Sequence, residues 1–443
     1  MLLQIKHLLK NKYILFVILF FIIRLAYGLT NEFWFPDEDC LQIYLIGLKF
    51  FTTGEFPFYG ADLVYTGAQI PGALQGLLVA AGWYICKAPE TPYIILNLLL
   101  TCSLSFLAWY ISKRIQKIPK LLIWLWVFFT PWSICYFTRI INPSYVVPGA
   151  ILFFIGVFEI YPFLTKNLIP KNLAYLMIGF GFFWIFQLHL SWVLLIPYIL
   201  GAIYFLLKSK EKKIILSRGG YFLLGCAITF STLAPTYLKF GFSGGSKSDI
   251  SSVASIYPEH LLQLPEYLTK FLAYSSFDVT RFIGGDSAQR ITFLKDYIWA
   301  APATIIIAIF GIIQLILLLL LFFKKKNISE QWRGVKYFTL SALIFMWLSS
   351  MFSVATPGGH TTVLLFPIAM LYSAHCLEFL FHKKYVKVIF GTVFCLSLIM
   401  YTAIAIKNYG TISIYKNREA VVKALSENDY RYVGLRRYEK IKL

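Results

Sequence analysis

The chain has 443 residues, of which 58% are hydrophobic and only 14% are charged, and its formal net charge is +20. This composition excludes an ordinary soluble globular protein, since long apolar runs recur along the whole sequence. The basic excess does not indicate nucleic-acid binding, because most lysines and arginines lie in short connections between apolar runs rather than on a polar domain. We predict an all-α polytopic membrane protein.

Eleven apolar runs have the length that a transmembrane helix needs. The predicted spans are residues 12–30, 92–111, 121–139, 144–162, 172–188, 191–207, 219–238, 298–323, 336–354, 362–381 and 386–406. Residues 1–406 therefore form the predicted transmembrane domain. A lysine-containing segment precedes the first run, but no A-x-A-like cleavage site follows it, which favours an uncleaved anchor over a signal peptide.

A twelfth run, residues 70–86, is a poor candidate for a span because it contains Pro71 and three glycines. The basic residues decide its placement. With eleven spans and the N-terminus inside, runs such as Lys113-Arg114 and Lys324–Lys326 are cytoplasmic, as the positive-inside rule requires. A twelfth span would move the later basic runs outside, so we predict that residues 70–86 form a helix at the outer interface.

The sizeable outer pieces are residues 31–91, residues 239–297 and a short extracytoplasmic C-terminal tail, residues 407–443. The second piece opens with a Gly/Ser-rich stretch, which is compatible with a loop that orders around a substrate and equally with a disordered connection. It then has the pattern of an interfacial helix, whose apolar positions are Leu261, Leu264, Leu268 and Leu272. The tail is too short for a core of its own, so we expect its helix-like stretch, residues 418–425, to dock on the outer face.

Three adjacent carboxylates, Asp37, Glu38 and Asp39, follow Pro36 directly after the first predicted span. A carboxylate at a membrane face is partly desolvated, so it can act as a general base toward a hydroxyl or an amine. Two of the three can instead hold a divalent cation. A solvated acidic loop or a helix cap is the alternative without chemistry.

Arg139 and Asn142 lie at the outer end of the third predicted span. A guanidinium group there can bind the phosphate of a lipid headgroup through two parallel hydrogen bonds, or it can simply extend toward the headgroups. Asn142 precedes Pro143, so it can belong to the same site or only to a turn.

Gln187 and His189 form the predicted outer turn between spans five and six, where polar side chains need partners. A hydrogen-bonded turn and a contact with substrate are both open. His360 follows two glycines in the outer loop between spans nine and ten, and it can contact phosphate together with their N–H groups. Arg24, in the first span, can reach the outer surface or pair with the acidic triplet.

All these groups are predicted on one side of the membrane, and the middles of the spans are nearly free of ionisable residues. This arrangement favours a site for a lipid-phosphate substrate over a transmembrane transport path. The seven cysteines show no metal-ligand spacing. Cys40 and Cys86 are the two on predicted outer segments, and whether they form a disulfide is open.

The pattern resembles the GT-C superfamily of integral-membrane glycosyltransferases, in particular the aminoarabinose-transferase and protein O-mannosyltransferase group (glycosyltransferase family 39-like). Asp37-Glu38 after the first span matches the extracytoplasmic Asp-Glu pair of that group. Segments 40–53 and 70–86 match its interfacial helices in position, and Lys113-Arg114 matches its basic cytoplasmic turn. The resemblance covers roughly residues 12–210, with a weaker correspondence through spans nine and ten. The motif is short, so specificity comes from the motif together with the topology.

The resemblance implies transfer of a sugar from a polyprenyl-phosphate donor to an extracytoplasmic glycan, lipid or protein, at the inner or plasma membrane of the cell and with inversion at the anomeric carbon. Asp37 and Glu38 would be the catalytic residues, as base or as ligands of a divalent metal cation. The residues expected to bind substrate are Asp39, Arg139, Asn142, Gln187, His189 and His360. Asn142 stands where the group often has an acid, and His360 matches a basic residue by place but not by type. A transporter or flippase of lipid-linked sugars and a non-catalytic membrane scaffold are the alternatives.

Overall fold

The computed structural model describes residues 12–30, 38–62, 69–164, 166–241, 256–323, 329–353, 358–409 and 418–433. Within these ranges, eight helical segments are long and apolar enough to cross a membrane. They are Thr91–Arg114, Asn142–Ile160, Leu190–Leu207, Lys212–Phe230, Ala301–Phe323, Glu330–Phe352, Gly359–His382 and Lys384–Asn408. Each of them overlaps one of the predicted spans. A helical membrane protein, as predicted, is what their length and composition indicate.

The elements are numbered here in chain order. Those of the first half are α1 (Lys12–Thr30), α2 (Glu38–Thr53), β1 (Tyr59–Asp62), β2 (Gln69–Pro71), α3 (Leu74–Trp83), α4 (Thr91–Arg114), α5 (Lys120–Phe129), α6 (Asn142–Ile160), α7 (Lys171–Phe186), α8 (Ile196–Leu207), α9 (Lys212–Phe230) and α10 (Ala234–Phe240). Those of the second half are α11 (Leu264–Ala273), α12 (Thr280–Ile283), α13 (Ser287–Asp296), α14 (Ala301–Phe323), α15 (Glu330–Ser349), α16 (Phe366–Leu377), α17 (Lys384–Asn408) and α18 (Arg418–Glu427).

Several helices are extended by 3₁₀ turns. These turns cover Leu190–Leu195 before α8, Pro258–Gln263 before α11, Ser350–Phe352 after α15, Gly359–Leu365 before α16, Glu378–His382 after α16 and Tyr430–Val433 after α18. The other three predicted spans correspond to shorter apolar helices, namely α1, α5 and α7.

The prediction of one continuous helix over residues 121–139 is wrong. Helix α5 ends at Phe129, a single π-helical turn covers Trp132–Tyr136, and the chain is irregular from there to α6. Pro131 explains the break, because proline has no N–H to donate to the preceding turn and its ring collides with that turn. As a result, Arg139 sits on irregular backbone rather than at the end of a helix.

Between α1 and α4, the described residues form helices α2 and α3, which pack against each other, and a pair of short β-strands that lies between them in the sequence. Strands β1 and β2 are antiparallel, with Tyr59 opposite Pro71 and Asp62 opposite Gln69. Both predicted interfacial segments, residues 40–53 and 70–86, are helical in part or in full. Helix α3, with ten residues, is too short to cross a membrane. The strand pair departs from the all-α prediction and was not predicted.

Helix α6 forms the centre of the bundle, because 94% of the residues in its most apolar stretch are buried, compared with 17% in α9. Helix α7 lies between α6 and α9, and it approaches both closely because small residues face the contacts. A Cβ atom added to Gly225 of α9 would collide with the carbonyl oxygen of Leu176, and one added to Gly181 of α7 would lie 2.6 Å from that of Gly149. Small residues of this kind are typical of helix contacts in membranes.

A buried ion pair joins α4 and α6 at the ends remote from the predicted outer face. The guanidinium of Arg114 contacts the carboxylate of Glu159, and the two side chains are 4% and 0% exposed. The second oxygen of Glu159 accepts the N–H groups of Leu168 and Ile169, at 2.8 and 3.3 Å. The ion pair therefore also fixes the connection from α6 to α7.

The tail helix α18 packs against α2, and it matches the predicted helix-like stretch, residues 418–425. Its buried side chains are Val421, Ala424 and Leu425. At its start, Arg418 Nε lies 2.9 Å from Glu90 Oε1. Helix α18 thus lies against α2, whose first residues are the last two carboxylates of the acidic triplet.

Candidate functional site

The acidic triplet enters the fold at the start of α2. Asp37 lies outside the described residues, and Glu38 and Asp39 are described by their backbone alone, as the first residues of α2. The next residue, Cys40, is buried, and Arg139 Nη2 lies 3.6 Å from its sulfur atom. The break after α5 therefore brings Arg139 to the residue that directly follows the triplet.

The surroundings of Arg139 are buried and polar. Arg139 is 3% exposed, and Tyr27 and Cys135 lie within electrostatic range of its charge. The hydroxyl of Tyr27 donates a hydrogen bond to the sulfur of Cys135 at 3.2 Å. The side-chain oxygen of Asn142 is buried and accepts no hydrogen bond from the described residues. The same holds for the hydroxyl group of Tyr145, which lies within electrostatic range of Cys40. The segment from Arg139 to Asn142 thus carries buried polar groups, and the Asn142 oxygen has no hydrogen-bond donor among the described residues.

No disulfide joins Cys40 to Cys86 in this part of the chain. Cys40 is buried beside Arg139, whereas Cys86 is exposed after the end of α3. Cys40 instead contributes a thiol to the surroundings of the guanidinium group.

A second group of cationic and imidazole side chains lies on the other side of the broken helix. His189, Arg281 and Lys270 all lie within electrostatic range of His360. These four residues, from four separate parts of the chain, are called the basic cluster below. Lys270 is partly neutralised by Glu266, at 2.7 Å. Within the described ranges, no carboxylate forms an ion pair with Arg281 or His360.

Aromatic side chains form the wall of the basic cluster. The guanidinium carbon of Arg281 lies 4.9 Å from the ring centroid of Trp132, in a cation–π geometry. The ring of Tyr136 stacks on His360 with centroids 6.4 Å apart. Tyr274 donates to the carbonyl oxygen of Gly359 at 2.5 Å, which holds the loop that carries His360.

The segment between α5 and α6 therefore serves both groups. Trp132 and Tyr136 contact the basic cluster, whereas Cys135 and Arg139 contact α1 and the start of α2. The structure thus gathers the predicted residues Arg139, Asn142, His189 and His360 around one broken helix.

His189 also has a structural role. Its Nδ1 accepts the N–H of Ser191 at 3.1 Å, which caps the 3₁₀ turn before α8. Burial lowers the pKa of the imidazole to about 4, so the ring is neutral at pH 7. Because Nδ1 is an acceptor, the proton of the neutral ring is on Nε2, which leaves an N–H donor on the other edge of the ring.

Gln187 is engaged by the protein. Its amide nitrogen donates to the carbonyl oxygens of Thr229 and Phe183, at 2.7 and 3.1 Å, and its amide oxygen accepts the hydroxyl of Thr232 at 2.8 Å. These contacts tie α7 to α9 and favour the hydrogen-bonded turn over the contact with substrate.

Arg24 corrects another expectation. Its side chain is fully buried, so it does not extend to the outer surface, and it donates to the carbonyl oxygens of Phe128 and Ser133. Sequence reasoning also missed Lys270, Arg281 and the two aromatic residues at the break. Pro131 was a signal for the break, but Lys270 had only the i,i+4 spacing from Glu266 that usually marks an exposed helix face.

The described residues contain no group of three or more His, Cys, Asp or Glu side chains that could hold a metal ion. The side chains of the predicted ligands Asp37 and Glu38 lie outside the described residues, so a metal site at the acidic triplet stays a prediction.

No protein-family model, no curated protein and no solved structure matches this chain. The resemblance to the GT-C superfamily therefore stays a prediction.

Proposed function

We propose that the protein is a membrane glycosyltransferase that moves a sugar from a polyprenyl-phosphate donor to an acceptor on the extracytoplasmic side. The contact of Arg139 with Cys40 carries the proposal. It brings a buried guanidinium to the start of the helix that opens with Glu38 and Asp39. A base and a phosphate-binding cation are the two groups that this reaction needs within reach of one anomeric carbon.

In the proposed step, the Asp37 carboxylate takes the proton of the acceptor hydroxyl or amine. The acceptor atom attacks the anomeric carbon and forms the new bond with inversion. The bond from that carbon to the phosphate oxygen breaks, and its electron pair goes to the polyprenyl phosphate. Arg139 and the basic cluster stabilise the charge that develops on the phosphate, because fixed cations need no reorganisation during the step.

The basic cluster supports an anionic ligand on separate grounds. Its fixed positive charges are those of Arg281 and Lys270, and Glu266 partly neutralises the second. Arg281 has no carboxylate partner among the described residues, and Trp132 covers one face of its guanidinium. An anion beside Arg281 would supply the opposite charge that this guanidinium lacks, and the phosphate of a lipid donor has that charge.

The proposed topology is eleven spans, with the N-terminus inside and the acidic triplet outside. Helices α1 and α7 would add to the eight longer segments, and so would α5 together with the π-helical turn Trp132–Tyr136 that follows it. Lipid mass spectrometry of cells with and without the gene tests the function, since loss of a transferase should cause polyprenyl-phosphate sugar to accumulate. Movement of the lipid-linked sugar without a new glycosidic bond would replace the proposal by a flippase.

The variant Asp37→Asn tests the base. It should be inserted into the membrane as well as the wild type and lose about 10²–10⁴-fold in transfer rate, which is the usual contribution of a general base. The rate is measured by restoring each variant to cells that lack the gene and following consumption of the accumulated donor. Wild-type turnover by Asp37→Asn would remove Asp37 from the mechanism.

A further inference from the structure

Arg24 is a buried charge in the apolar helix α1. Its side chain is 0% exposed, and none of the described carboxylates forms an ion pair with it. Its Nη1 donates to Phe128 O at 3.0 Å, to Ser133 O at 2.9 Å and to Ser133 Oγ at 2.8 Å. An ionisable residue in such a place is costly to keep, so its contacts indicate what it does.

Those contacts lie at the broken end of α5. The last carbonyl oxygens of a helix have no partner within the helix, and they carry the negative end of its dipole. Phe128 O belongs to this group, and Arg24 supplies both the missing donor and the opposite charge. The next carbonyl, Phe129 O, accepts the hydroxyl of Tyr401 at 2.8 Å. Side chains from α1 and α17 therefore satisfy backbone groups that apolar surroundings would leave unpaired.

Ser133 lies on the far side of the break, in the π-helical turn. Because one nitrogen of Arg24 binds Phe128 before the break and Ser133 after it, the guanidinium spans Pro131 and fixes the two sides relative to each other. The chain that follows carries Trp132 and Tyr136 to the basic cluster, and Cys135 and Arg139 to the start of α2.

We infer that Arg24 is a positioning residue: its guanidinium holds the broken helix after α5 and thereby places both halves of the candidate site. This inference rests on the proposed function only for the chemistry that those two halves perform. An arginine that merely stabilised the bundle would, when replaced, loosen the whole molecule. A positioning arginine would release the segment around residues 130–139 while the remaining helices stay packed.

Buried thiols distinguish these two cases. Cys135 lies in the π-helical turn, is 0% exposed and contacts Tyr27. Cys226 in α9 and Cys376 in α16 are buried elsewhere and serve as internal controls. The full-length Arg24→Met protein is treated with N-ethylmaleimide in membranes, and the labelling of each cysteine is followed by peptide mass spectrometry. We expect Cys135 to react at least about tenfold faster than in the wild type, with Cys226 and Cys376 unchanged, as local opening predicts.

Arg24→Lys keeps the charge and one donor group, so it should bring Cys135 labelling back toward the wild-type rate. If Arg24→Met does not accumulate, Arg24→Gln takes its place, since its neutral amide still donates but lacks the charge, and it should increase Cys135 labelling to a smaller extent. Unchanged labelling of Cys135, or an equal rise at all three cysteines, would overturn the inference. The readout involves no sugar transfer, so its outcome is independent of whether the transferase proposal fails.

Discussion

Arg139 occupies a position from which both water and lipid are largely excluded, since 3% of the residue is exposed and the thiol of Cys40 lies 3.6 Å from its Nη2. A guanidinium in such surroundings interacts more strongly with an anion than it would in water, because the local dielectric constant is low. Asn142, with its buried side-chain oxygen, adds an acceptor that could orient a hydroxyl of the sugar. At the residue scale, the site therefore combines one strong cation with neutral polar groups.

The substitution Arg139→Gln should weaken donor binding. A hydrogen bond to a charged group contributes about 1.5–3 kcal/mol, so the apparent KM for the donor should rise roughly 10–100-fold. Arg139→Lys should recover only part of this loss, since lysine lacks the planar fork. The measurement is donor-dependent transfer in membranes, with Arg333→Gln as the control because Arg333 is exposed at the start of α15. An unchanged KM in Arg139→Gln would remove the proposed clamp.

At the scale of elements, α7 depends on close contacts with both of its neighbours, and α4 depends on a buried ion pair with α6. These two kinds of contact have different physical origins. Glycines let the backbones of α7 and α9 approach, so any side chain there forces the helices apart. Arg114 and Glu159 hold helix ends through charge and hydrogen bonds. Both kinds of contact lie away from the candidate site and hold in place the helices that carry it.

Two glycines of the same helix provide a matched test of the packing. Gly225→Leu should lower the free energy of unfolding by about 1–3 kcal/mol, as overpacking commonly does. Gly220→Leu should leave the free energy of unfolding unchanged, since no atom lies within 4 Å of the added Cβ. Thermal unfolding of the purified protein in detergent measures the difference. Equal midpoints for the two variants would contradict the close contact between α7 and α9.

Substitutions in the Arg114–Glu159 ion pair should change stability in a different way. Glu159→Gln leaves the buried Arg114 without its opposite charge and should destabilise the protein by about 3–5 kcal/mol. Glu159→Gln combined with Arg114→Met removes the uncompensated charge and should recover most of that loss. Chemical unfolding in micelles checks both variants. A double variant as unstable as Glu159→Gln would mean that the charge is not the cause.

At the scale of the whole molecule, the question is which end of the bundle faces outward. The candidate site, α2, α3 and the tail helix lie at one end, and the Arg114–Glu159 pair lies at the other. The distribution of lysine and arginine predicts that the site end is extracytoplasmic.

Cys86 reports on this orientation without any substitution, because it is exposed and follows α3. A membrane-impermeant maleimide should label it in intact cells. The variant Lys210→Cys, in a connection predicted to be cytoplasmic, should be labelled only after the membrane is permeabilised. The opposite pattern would place the acidic triplet in the cytosol and rule out the proposed donor chemistry.

Sequence patterns alone predicted the helical membrane class, the approximate bounds of the eight long segments and helices in segments 40–53 and 70–86. These features follow from local properties, namely the length of apolar runs and the placement of basic residues. The sequence also singled out Arg139 and His360 as candidates. The three-dimensional structure was needed to show that the third predicted span breaks at Pro131, that Arg24 binds the broken backbone, and that Lys270 and Arg281 lie near His360. The physical reason is that the carbonyl groups at a helix break accept hydrogen bonds from residues distant in the sequence, and that a charge cluster depends on distances in space. Neither feature leaves a local pattern in the sequence.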